Sequence, residues 1–187
     1  IKQGAGVSGP ASSTDNAAAR WDGTTGTVTQ NSGVIINDSN NISGIAGIVG
    51  SATNDSASAG NIGELLSATL ASGSAVALTS DAAKSVTSVS LTAGDWDVTG
   101  IVYFKQPGTT NIANAFAGTS ATADTLGADG TYATTYNQGV TAADPSFVAP
   151  TVRYSLASTT THYLIARSNF SVSTLSAYGT IRARRMR

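Results

Sequence analysis

The 187-residue chain has no cysteine, one histidine, one methionine and four prolines. Without cysteine there is neither a disulfide framework nor a thiolate metal site, and nothing about redox compartment can be read from it. Charged residues make up 11% of the chain, against about a quarter in ordinary globular domains. No apolar run approaches the roughly 18 residues of a membrane-spanning helix, so membrane insertion is not expected. Residues 1–10 lack the apolar stretch of a signal peptide, and Ile1 in place of Met suggests a fragment or a processed product. The 20 glycines follow no three-residue period, which excludes collagen. A net charge of −1 with 41% apolar residues excludes a disordered chain. Alanine is plentiful, but Thr, Ser, Gly and Val interrupt it everywhere, against a helical bundle. What is left is an all-β protein rich in turns.

Charge is unevenly placed. Residues 1–181 hold six bases against all eleven acids, a net of −5, and the last six residues hold Arg182, Arg184, Arg185 and Arg187. A basic tail can signal nucleic acid. Here it continues an alternating strand with no wider basic surface behind it, so no nucleic-acid partner is expected.

The pattern divides the chain into residues 1–60 and 61–187. The first part is punctuated by Gly, Ser, Asn and Asp, and its few large apolar residues cannot enclose a core alone. Val34 and Ile36 alternate, residues 37–41 turn the chain, and Ile42 resumes. This reads as short strands joined by Asx-type turns, stable if several copies wrap together with Val and Ile on a shared axis. A flexible linker is the alternative, to which isoleucine is poorly suited. In the second part Leu66, Ala68 and Leu70 alternate, as do Thr87, Val89, Leu91 and Ala93. Trp96, Val98, Val102 and Phe104 share one face of a strand, with Asp97, Thr99, Ile101, Tyr103 and Lys105 on the other. Val152, Tyr154 and Leu156 alternate, and Leu175, Ala177, Gly179, Ile181 and Ala183 share a face with Tyr178, Arg182, Arg184 and Met186 opposite. Strands so spaced by turns predict a β-sandwich or jelly-roll head. Its expected core is Trp96, Val98, Val102, Phe104, Val152, Leu156, Leu164, Leu175 and Ile181. Several strands carry bulky groups on both faces, where a monomeric sandwich buries one. That excess points to burial against another subunit.

Three stretches carry a family likeness. Residues 9–34 read GPASSTDNAAARWDGTTGTVTQNSGV, residues 88–100 SVSLTAGDWDVTG and residues 178–185 YGTIRARR. They resemble segments of tailed-bacteriophage and prophage tail-fibre proteins. The resemblance implies a homotrimer: an intertwined β shaft carrying a tumour-necrosis-factor-like jelly-roll knob. It also implies a virion location outside the host cell, other phage tail or virion proteins as partners on the N-terminal side, and a bacterial surface receptor, a glycan or an outer-membrane protein. The expected role is host attachment without enzymatic activity. A virion decoration or assembly protein that binds no receptor is one alternative, and a cell-surface glycan depolymerase another.

The remaining motifs support no cofactor, metal or catalytic site. Residues 4–9 match G-x-G-x-x-G, but no strand precedes them and no apolar helix follows. His162 is the lone histidine, without a nucleophile elbow, and reads as a structural residue. Asp95 and Asp97 flank Trp96 and point the same way. They would suit Ca²⁺, although Gly94-Asp95 is equally an ordinary turn. Glycan cleavage needs two positioned carboxylates, and the head has one glutamate, Glu64. Tyr132, Tyr136, Asn137 and Gln138 fall between turn signals and form a candidate receptor loop with the aromatic and amide groups that bind sugars; a solvated loop is the alternative. Arg182, Arg184, Tyr178 and Met186 form a candidate subunit interface. Three copies would crowd guanidinium groups, which neighbouring carboxylates such as Asp95 or Asp97, or bound anions, would have to offset. A frayed, solvated tail is the alternative there.

Overall fold

In the computed structural model of the protein, residues 12, 14–21, 24, 28–48, 50, 55–139 and 143–187 are described. The chain forms two units, Ile1–Asn54 and Asp55–Arg187. The glycine-rich match at residues 4–9 lies outside the described residues.

In the first unit, β1 (Ala17–Trp21), β2 (Thr29–Ile36) and β3 (Ile42–Ser43) form an antiparallel sheet in that order. The turn between β2 and β3 is built as the asparagine run predicts. Asn37 Oδ1 accepts from the backbone N–H of Ser39 (3.1 Å) and Asn41 (2.9 Å), and Asn40 takes the positive φ of 60° that asparagine tolerates. None of the described residues here is buried: Trp21 is 52%, Ile42 58% and Ile48 87% exposed.

The second unit is a sandwich of two antiparallel sheets. The strands are β4 (Leu65–Leu70), β5 (Val76–Ala77), β6 (Lys84–Leu91), β7 (Gly94–Lys105), β8 (Asn111–Ser120), β9 (Tyr132–Gly139), β10 (Ser146–Leu156), β11 (Thr160–Ser171) and β12 (Ser176–Arg185). One sheet runs β10-β7-β12-β4, with β5 also on β12; the other runs β6-β11-β8-β9. Apart from the β8–β9 pair, neighbouring strands in a sheet are not consecutive in the chain, which is the jelly-roll connectivity expected.

Period-two alternation carries the core. Trp96, Val98, Val102 and Phe104 of β7 and Ala177, Ile181 and Ala183 of β12 face Leu91, Ile112, Leu164 and Ala166 of the other sheet, all fully enclosed. Gly100 lies in phase with them, and a Cβ there would stand 2.6 Å from Leu164 Cδ1 and 2.8 Å from Thr180 O. A side chain at this point would force the sheets apart.

Three expectations shift. Val152 and Leu156 are half-buried, because β10 is an edge strand whose register slips between Ala149 and Val152. Ala93 is exposed, beyond the end of β6. Within β6, Leu164 pairs with Thr87 but Ile165 with Ser85, and this bulge turns Val86 into the core while Thr87 is only half-buried. Alternation counted back from Leu91 reaches the wrong residue because the phase changes at the bulge.

Candidate functional site

The outward face of the β10-β7-β12-β4 sheet carries the first cluster of candidates. Strand alternation places Tyr178, Arg182 and Arg184 outward on β12, and Ile101 and Tyr103 outward on β7. Tyr103 and Tyr178 are register partners, and their rings stack with centroids 4.9 Å apart at 9°. Tyr178 Oη donates to Asp144 Oδ2 at 3.0 Å, and burial, then that carboxylate, raises its pKa. Beside the stack, Gly100, Ile101, Tyr103, Val148, Thr180 and Arg182 line a shallow groove of ≈ 440 Å³. Val148, its apolar rim, is 62% exposed, and Leu65 at the far edge of the face is 42% exposed. Arg182 and Arg184 are exposed, and they are the only described arginines of this unit without an ion pair. Arg184 lies opposite Asp97, which also registers with Arg153. Met186 follows the strand, 47% exposed, its N–H donating to Asp95 O at 2.9 Å.

The end of this sheet holds a cluster that alternation signalled without its being singled out. Arg185 is in phase with Ile181 and Ala183, so it points inward and is buried. Its guanidinium lies 4.3 Å from the Trp96 ring centroid. Nε donates to Glu64 Oε2 (2.9 Å), Nη1 to Ala93 O (2.9 Å) and Nη2 to Thr92 Oγ1. Glu64 also accepts from Gly60 N–H (2.8 Å), and this bond, then Arg185, lowers its pKa. Gly94 has φ 132°, and a Cβ there would stand 2.2 Å from Arg185 Nη1. Next to this pair, Asp95 accepts from Arg153 Nη2 (2.8 Å) and from Arg187 Nε. The Ser155 hydroxyl, then Arg153, holds the Asp95 carboxyl down at about 2. Asp95 is thus engaged by arginines of its own chain. Residues 185–187 are pinned back onto β7 through these contacts, where a frayed tail was one of the alternatives.

The tyrosine-rich segment, expected as a loop, is strand β9 at the edge of the second sheet. Tyr132, Thr134 and Tyr136 share its outward face by alternation. The outward row continues across β8 and β11, since Thr134 registers with Phe116 and Phe116 with Arg167, and Tyr136 registers with Asn114 and Asn114 with Asn169. Phe116 meets the Tyr132 ring edge-on at 5.8 Å and the Arg167 guanidinium at 5.2 Å. Tyr132 Oη donates to Asp129 Oδ1 at 2.8 Å, and that bond raises its pKa. Register slips between Asn114 and Ile112 on both flanks of β8. The β9 bulge holds Asn137 at φ 55°, so Tyr136 and Asn137, adjacent in sequence, are both exposed. The Gln138 side chain lies outside the described ones. Asn114, Asn169, Phe116 and Arg167 escaped the sequence reading because strand pairing alone brings them into the rows of Tyr136 and Thr134, and Asp81 because it joins those rows only through hydrogen bonds to Asn169 and Arg167.

His162 lies inside the core with its ring 4.2 Å from that of Tyr154, and burial lowers its pKa. Among the described residues no three His, Asp or Glu side chains gather as metal ligands, and no helix is long and apolar enough to cross a membrane.

No protein-family model matches the chain, and no curated protein matches it. Among solved structures, the chain is similar to the crystal structure of the infectious bursal disease virus VP2 subviral particle. Identity is 13% over 66% of this chain and 32% of that one, with a TM-score of 0.42. It is also similar to the structure of the infectious bursal disease virus Gx strain, at 12% identity over 65% of this chain and 30% of that one, TM-score 0.37. The chain spans about a third of the length of these structures.

Proposed function

We propose that this chain is the host-attachment end of a tail fibre of a tailed phage or prophage: a homotrimer with an intertwined shaft in its first unit and a receptor-binding jelly-roll head in its second. The observation that carries the reading is the outward face of the β10-β7-β12-β4 sheet, where Val148, Ile101 and the Tyr103–Tyr178 stack adjoin along the shallow groove. Contiguous apolar surface of this kind on a soluble protein marks an interaction site. The first unit has the same character in its own right, with Ile36, Ile42, Ile45 and Ile48 all exposed. Each large aliphatic side chain gains about 1.5–3 kcal/mol when buried, so both units favour association with like copies. The resemblance of residues 9–34 to tail-fibre segments supplies the viral context.

Two measurements test the proposal. Native mass spectrometry should give three times 18.7 kDa, and the labelled trimer should bind intact cells of a susceptible bacterium. A monomer at micromolar concentration would overturn the reading. A trimer that binds no host cell would leave a virion assembly role, and release of reducing sugar ends would point to a depolymerase.

A further inference from the structure

We propose that the outward face of the β6-β11-β8-β9 sheet, at its Tyr136–Asn137 end, is the receptor site and binds a neutral oligosaccharide. This rests on the attachment role above and names the surface and the ligand chemistry.

Regular alternation would send one of two adjacent strand residues inward. Here the bulge sets Tyr136, 65% exposed, and Asn137 side by side on the surface. Asparagine tolerates the φ of 55° that the bulge sets at Asn137, and bulges recur where a side chain must be re-aimed toward a ligand. The polar groups of the row that runs from this pair across β8 and β11 are fixed. Asn114 Oδ1 accepts from Asn169 N–H (2.9 Å), Asn169 Nδ2 donates to Asp81 Oδ2 (2.8 Å), and Arg167 Nη2 donates to Asp81 Oδ1 (3.1 Å). An exposed phenol ring next to the held Asn114 amide, with the Asn169 amide one strand farther along the row and Asp81 held beyond it, matches a pyranose, which has an apolar C–H face and a rim of hydroxyls. Holding the polar groups in advance reduces the ordering cost of binding. Along the strand, Tyr132 to Tyr136 spans about 13 Å, room for a short oligosaccharide rather than one sugar.

Charge selects the class. The described cations on this sheet are each matched by a carboxylate: Arg167 by Asp81 and Lys84 by Asp124. Asp129 adds a further negative group beside Tyr132. Among the described residues of this sheet no unmatched cation remains to attract a uronic or sialic acid, whereas the arginines without ion pairs, Arg182 and Arg184, lie on the other sheet.

The test is an array of neutral and acidic oligosaccharides probed with the intact trimer, its Tyr136→Ala variant and its Tyr136→Phe variant. The wild type should bind neutral structures. Tyr136→Ala should weaken that binding about tenfold or more at an unchanged Tm, Tyr136→Phe should keep most of it, and the bound sugar should compete with attachment to cells. Binding confined to acidic glycans, binding to none, or binding that Tyr136→Ala leaves intact would overturn the inference. A trimer that attaches to cells equally well with Tyr136→Ala would refute this site while leaving the attachment role standing.

Discussion

At the residue scale, the most consequential side chains are those that close the end of the sandwich. Trp96 is fully enclosed and donates Nε1–H to Thr92 O at 2.9 Å. Trp96→Ala should therefore cost about 3–5 kcal/mol in denaturant unfolding. Arg185 and Glu64 form a buried pair, and removing one partner strands the other charge. Arg185→Met should cost about 3–5 kcal/mol, and the double change Arg185→Met, Glu64→Leu should recover part of it. Two groups set separate pH windows. His162 is held neutral by burial, so its folded pKa lies below the unfolded value of about 6.5. Its share of stability is complete above that value and is lost as pH falls through it. Tm should drop between pH 7 and 5, and less so in His162→Leu, a variant expected to keep cell attachment. Asp95, held at about 2 against an ordinary 3.8, stabilises the fold above pH 3.8 and loses that effect as pH falls toward 2. Asp95→Asn should flatten that acid limb in a pH–Tm series. Arg185 was legible in principle, since it continues the phase of Ile181 and Ala183. Its partner was not, because Glu64 lies 121 residues away.

At the element scale, regular strands were legible and irregular ones were not. β12 keeps period two from end to end and β7 from Trp96 onward, so their faces follow from counting. In β6 the bulge shifts the phase, and the structure makes a sharp prediction. Val86→Thr buries a hydroxyl and should cost about 1–3 kcal/mol, whereas Thr87→Val should be nearly neutral. Equal effects in chemical denaturation would mean the register lacks the bulge. β12 also shows which test of its arginines is informative. Deleting residues 182–187 removes their pairing with Thr99, Val98, Asp97 and Trp96 together with the Arg185 contacts, so it should unfold the head whatever the outward face does. Arg182→Ser with Arg184→Ser leaves the inward face intact. If the outward face is the subunit interface, the double variant should keep the monomer fold while the trimer loses its response to phosphate and carboxylate anions beyond general salt. An unchanged anion response would exclude those arginines from an anion-bridged interface.

At the scale of the whole molecule, the two units share one property, apolar surface that a single chain leaves in water. Ile101 and Val148 meet in register on the outward face of the head. Ile101→Asp with Val148→Asp should shift the native mass from trimer toward monomer while the far-UV signature of the sandwich persists. A trimer unaffected by the pair would place the subunit contact elsewhere.

Composition and periodicity alone determined that the chain is all-β and which residues of β7 and β12 face inward. These follow from local rules, because side-chain direction along a regular strand depends only on position in the chain. What only the tertiary structure decided is everything that register controls: that Tyr132–Gln138 is a bulged edge strand, that Asp95 is claimed by Arg153 and Arg187, and that Tyr136 stands in one row with Asn114 and Asn169. Strand pairing joins residues tens of positions apart, and one extra residue in a bulge exchanges the faces. No local pattern carries that information.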